Sequence, residues 1–122
     1  MSVSVSDFVI KLFEARQQTH VFHLKTRSYA QHMALGSFYD DLLDLIDELV
    51  EVYQGQYEIL NLSKDLSVSY QGDPIAYLTE LSKFVADNRS GIGSSKDTHL
   101  QNIIDEIFAL IQHTLYKLSY LS

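Results

Sequence analysis

Residues 19–51 read THVFHLKTRSYAQHMALGSFYDDLLDLIDELVE, and the fold of the chain turns on how this run is read. It holds three of the five histidines and six of the sixteen acidic residues. Leu35, Phe38, Leu42, Leu45, Ile46 and Leu49 recur at intervals of three and four, the period of an amphipathic helix and not of a strand. Val50 and Tyr53 extend the stripe, and Gly55 supplies a stop. Ser28 is a good N-cap, so the spacing predicts a helix from Tyr29 to about Gln54. Upstream, Phe8, Val9, Leu12, Phe13, His20 and His23 share one face at 100° per residue. They predict a first helix, capped by Ser6 with Asp7 at its positive end and finishing between Leu24 and Thr26.

Working outward, residues 56–73 (QYEILNLSKDLSVSYQGD) have no clean helical period and are long for a loop, which marks a crossover. Asp73-Pro74 is a helix start, an N-cap followed by proline at the first helical position. Leu78, Leu81, Phe84 and Val85 give the third helix its buried face as far as Asn88. RSGIGSS (89–95) is a turn, and Ser95 opens a fourth helix to about Leu121, with Leu100, Ile103, Ile104, Ile107, Ile111, Leu115 and Leu118 as its stripe. The expected fold class is all-α. Helix, short turn, helix, long crossover, helix, short turn, helix is the connectivity of a ferritin-like four-helix bundle, formed by residues 1–122 as one domain.

Composition narrows the function. A chain of 122 residues, 46% hydrophobic, can bury a core. It has no cysteine, so disulfides and thiolate metal sites are excluded, in keeping with a cytoplasmic location. No apolar run reaches the length of a membrane span, MSVSVSDF has no secretory pattern, and no membrane partner is expected. A net charge of −7 without a lysine/arginine concentration argues against direct DNA binding. Glu-x-x-His, His-Glu-x-x-His, the P-loop, G-x-G-x-x-G and G-x-S-x-G are all absent. The SGIGSS turn opens onto a helix N-terminus, but a plain turn accounts for it.

On the second helix, with His32 as reference, Asp47, Asp40 and Glu51 fall within about 60–100° of it, beside the apolar face. Asp41 and Glu48 fall nearer the opposite side, toward solvent. Imidazoles and carboxylates in one seam suit iron, manganese or zinc. His20 and His23, on the apolar side of helix one, could face that seam. The plainer reading is a solvated acidic stripe and hydrogen-bonded core histidines. His99 and His113 have no carboxylate at ligand spacing and read as structural or surface residues.

This arrangement resembles the Dps family of mini-ferritins. That family pairs a histidine late in helix one with another twelve residues on. Aspartates follow the second histidine by four and fifteen residues, and a glutamate by nineteen. Here His20 and His32 are twelve apart, with Asp47 fifteen and Glu51 nineteen after His32. His23 could replace His20 if the turn is shorter than usual. Gly36 stands where the near aspartate belongs; Asp40 is one turn further on, and Gly36→Asp should restore the family's carboxylate.

The resemblance implies a homo-oligomer built on a two-fold dimer. In it, His20 or His23 and His32 of one subunit would meet Asp47 and Glu51 of the other. Iron would be the metal, with zinc or manganese as substitutes, and ferroxidase-like oxidation and sequestration of iron the activity. The chain is also similar to small phage-encoded relatives, which would place it in a host cytoplasm. They suggest the alternative: a non-enzymatic helical interaction or structural protein that keeps the fold without the metal chemistry.

Overall fold

The computed structural model describes residues 3–122, and residues 1 and 2 of the expected domain lie outside them. Four helices form: α1 (Val5–Lys25), α2 (Tyr29–Gln56), α3 (Pro74–Asn88) and α4 (Thr98–Tyr120), with one 3-10 turn at Arg89–Gly91. No strand occurs among the described residues. The all-α expectation therefore holds, with four helices packed on one another.

The caps explain most of the boundaries. Ser28 accepts from the Gln31 amide and starts α2. Asp73 accepts from the Ala76 amide and starts α3, with Pro74 at its first position. Three expected boundaries move. Ser4, not Ser6, caps α1, because its hydroxyl reaches the Asp7 amide. Gly55 does not stop α2, which closes only after Gln56. Ser95 does not open α4; the chain turns helical at Thr98, behind Asp97.

Neighbours are α1 with α2, α2 with α4, α4 with α3, and α3 with α1. The core between them includes Phe8, Leu12, Phe38, Leu42, Ile46 and Ile104, all fully buried. Burial of such side chains is worth about 1.5–3 kcal/mol each. Phe8 and Phe84 stack at 5.6 Å between centroids and join α1 to α3.

Residues 57–73 contain no helix and run the length of α1 from its start to its end. The Lys64 ammonium meets Asp7 at 2.9 Å, and the Ser67 amide donates to Glu14 at 3.1 Å. Ser69 exchanges two 2.7 Å hydrogen bonds with the Gln18 side chain. Lys25 donates to the Tyr70 carbonyl at 2.7 Å. Gln18 replaces the missing backbone partner of an extended segment, as a strand would. This strap carries the chain back along α1, so α2 and α3 run in the same direction.

At the far end, Asp97 joins the end of α2 to the α3–α4 turn. Its carboxylate accepts from the Ser94 amide at 2.8 Å, from Gln56 Nε2 at 2.8 Å and from the Tyr57 hydroxyl. The residue is 6% exposed. The Ser94 amide, then Tyr57 and Gln56, hold its carboxyl well below the usual carboxylate range. The Tyr57 phenol is pushed up by the same bond, taken from its side.

A depressed folded-state pKa means that the stabilisation is present above the unfolded pKa of about 3.9 and is lost as pH falls below it. Asp97→Asn should lower the urea midpoint at pH 7 without changing the slope. It should also remove part of the loss of stability that the wild type shows on acidification below about pH 4. Equal midpoints at pH 7 would show that the knot contributes nothing.

Candidate metal centre

The α1–α2 turn is closed by two histidines. His23 Nδ1 lies 2.6 Å from the His32 carbonyl, and His32 Nδ1 lies 2.9 Å from the His23 carbonyl. The rings stack, with centroids 3.7 Å apart and planes 18° from parallel. A carbonyl only accepts, so each Nδ1 donates, and a ring in its neutral form keeps its lone pair on Nε2. The His23 carbonyl belongs to the last turn of α1, where a helix has no backbone donor to offer, and His32 supplies the missing one.

Gly36 makes this possible. It lies one turn after His32, where a side chain would cover the His32 carbonyl. A Cβ at Gly36 would lie 2.9 Å from His23 Cε1 and 3.1 Å from His23 Nδ1. The glycine at the position expected to carry an aspartate is thus filled by the imidazole of His23. The expectation that Gly36→Asp restores a ligand is corrected on steric grounds: the new side chain would displace a histidine of the same candidate site.

His20 stands apart from the stacked pair. Its ring stacks on Tyr39 at 4.4 Å and lies 6.1 Å from the His23 ring. The Arg16 guanidinium sits 5.6 Å from the Tyr39 centroid on α2. Of the two helix-one histidines, His23 is the one brought to His32. Asp47 and Glu51 are exposed on α2. At 1.5 Å per residue they lie roughly 22 and 28 Å along the helix from His32, too far to share an ion with it in one chain. In keeping with that, no group of three or more histidine, aspartate or glutamate side chains among the described residues could hold a metal ion. Asp40 is exposed as well and makes no ion pair among the described residues.

Two other places were not singled out by sequence spacing. Asp97, which the sequence reading places in the first turn of the fourth helix, is instead buried just ahead of it, and only its contacts show it. A cavity of about 670 Å³ lies between the strap, α1 and α3, against Phe22, Tyr77, Leu81 and Phe84. The Tyr77 hydroxyl is buried there without a hydrogen-bond partner among the described residues, and burial, with Glu14 nearby, pushes its phenol up. A strap without helical period gives no sequence signal for a cavity beneath it.

The fold defines a class, an all-α chain of four packed helices with a long strap. The chain itself belongs to the family of unknown function DUF5856, which matches residues 23–118. That span includes His23, His32, Asp47 and Glu51. No curated protein and no solved structure matches the chain.

Alanine usually stabilises an exposed helix position relative to glycine by about 1 kcal/mol. Gly36→Ala should do the opposite, because the methyl group pushes a pinned imidazole; overpacking of this kind costs about 1–3 kcal/mol. Urea unfolding at pH 7.5 measures the sign. A more stable Gly36→Ala protein would mean that His23 yields freely and the stack is not held.

Proposed function

We propose that the protein binds a first-row transition metal ion at a site shared between two copies, with ferroxidase-like iron handling as its activity. His23 and His32 of one chain and Asp47 and Glu51 of the other would be the ligands, with His20 adjoining. The observation that carries this reading is the spent Nδ1 on both histidines. A ligating imidazole commonly gives its second nitrogen to a carbonyl or carboxylate, which fixes the ring and leaves Nε2 for the metal. Here both rings are held that way and both Nε2 atoms remain free of any hydrogen bond within the described residues.

The distribution of charge along α2 supports a two-fold pairing. Residues 29–39 contain no acid, whereas residues 40–51 contain six acids and no lysine or arginine. Antiparallel packing of two copies about an axis near Leu42 would set the His32 end of each against the Glu51 end of the other. Tyr39, Leu43 and Val50, half-buried on the face of His32, would supply apolar contact beside it. A two-fold dimer is the commonest closed assembly.

Iron suits a mixed imidazole–carboxylate set, with zinc and manganese as substitutes. Bound there, it would supply redox chemistry with peroxide or dioxygen. The chain's own part would be to fix two neutral imidazoles, to offset the ion's charge with carboxylates and to bring the halves together. The competing reading, a helical interaction or structural protein of viral origin, is favoured by Gly36, since the fit of His23 on a glycine serves packing with or without a metal. In either case the expected setting is cytoplasmic.

Anaerobic Co(II) titration tests the proposal, because its visible bands report coordination directly. Wild-type protein should show saturable bands at one ion or fewer per chain. His32→Ala should abolish them, and Glu51→Ala should weaken binding at least tenfold while far-UV circular dichroism stays helical. Mixing the two variants should regain part of the signal, since a mixed dimer pairs an intact His32 with an intact Glu51. Failure of the wild type to bind at millimolar Co(II) would sink the reading.

A further inference from the structure

The surface of the bundle is divided by charge. No aspartate or glutamate occurs between Glu14 and Asp40, and none after Glu106. Those two acid-free stretches meet at one end of the molecule. The start of α2 and the end of α4 enclose a shallow depression lined by Met33 and Ser37 on one side and Lys117 and Leu121 on the other. Leu24, at 70% exposure in the last turn of α1, and Arg27, in the turn after it, adjoin the depression. Tyr29 and Tyr120 are 78% and 77% exposed at the same end. Six of the large exposed apolar or aromatic side chains, counting Met33, Leu121 and Tyr116, gather at this tip. Arg27 and Lys117 make no ion pair among the described residues.

Further down the outer face of α2 and α4 lies the complementary surface. A groove of about 560 Å³ runs between the helices, with the half-buried Leu45 and Leu110 inside it and Asp41, Asp44 and Glu106 on its walls. None of these three carboxylates has an ion-pair partner among the described residues. The volume is that of a small-ligand site, so a few large side chains would fill it. Apolar surface left open, with unpaired charge of one sign at its rim, marks an interaction site.

We infer that the tip of one copy docks into the α2–α4 groove of a second copy. Leu24, Tyr29 and Tyr120 would enter the groove, while Arg27 and Lys117 meet Asp41, Asp44 and Glu106. Both halves of the match are on this chain, and each carries the charge that the other lacks. Tip against tip would set cation against cation, and groove against groove would set three carboxylates against three. The contact is therefore between different surfaces, and repeated it closes a ring or cage or continues as a filament. It does not involve Asp47 or Glu51, and it goes beyond the shared metal site.

Charge exchange between the two surfaces tests this. Sedimentation of the metal-free wild type at low salt should show species larger than a dimer, shrinking as salt screens the contact. Arg27→Glu/Lys117→Glu should remove them, and so should Asp44→Lys/Glu106→Lys, both with unchanged helical circular dichroism. Equimolar mixing of the two reversed proteins should restore them, because each then offers the charge that the other needs. Wild type that never exceeds a dimer, reversed proteins that assemble as before, or a mixture that stays small would each overturn the inference. So would Arg27-dependent co-sedimentation with anionic vesicles by a protein that does not self-associate, which would assign the tip to a lipid surface. Loss of Co(II) binding in His32→Ala with the larger species retained would separate this contact from the metal site.

Discussion

The reciprocal bond between His23 and His32 is the constraint that the α1–α2 hairpin depends on. The His32 imidazole satisfies a carbonyl in the last turn of α1, the His23 imidazole bonds a carbonyl near the start of α2, and the ring centroids lie 3.7 Å apart. The turn between them is only Thr26 to Ser28. The paired rings join α1 to α2 at one end, and Asp97 closes the bundle at the other by holding Gln56 and Tyr57 to the α3–α4 turn. Between the two clamps the apolar stripes need only fill volume. Gly36 is a condition of the first clamp, which is why one helical glycine matters more than its propensity suggests.

The fold was legible because it rests on local signals. Period, cap and proline at Ser28 and Asp73 are read within a few residues, and the hydrogen bonds they announce are made within one turn. Ser6 was misread for a related reason. Ser4 and Ser6 are chemically equal as caps, and the choice falls to whichever hydroxyl reaches a free amide, which for Ser4 is that of Asp7. At Thr98, too, the helix starts later than Ser95 suggests, because residues 94–97 form a turn closed by the Asp97 amide on the Ser94 carbonyl at 3.0 Å.

The candidate site was legible only in part. The spacing of His20, His23 and His32 brings all three to one end of the hairpin, but it cannot say which helix-one ring turns toward His32. That choice is made by the empty volume over Gly36, a property of two helices in contact. A glycine in a column of expected ligands reads as a missing carboxylate. In three dimensions the same glycine is the space into which His23 fits. Asp97 illustrates the reverse case: nothing in the sequence around it distinguishes it from Asp87 or Asp105, and two of its partners, Gln56 and Tyr57, lie about forty residues earlier.

The separation of Asp47 and Glu51 from His32 bears on both functional readings. Carboxylates roughly 22 to 28 Å from the imidazoles would count against a metal site if the working unit were one chain. Along an antiparallel pair of α2 helices the same separation becomes proximity, since a residue ten before the axis meets one ten after it. The acids are exposed and the histidines half-buried, so in the proposed site one chain would bring only the stacked rings together. Under the proposed reading, keeping the charged half on a different stretch of the same helix would make metal affinity depend on assembly. A second copy would then be a structural part of the binding site, and protein concentration would control metal affinity as directly as metal concentration does.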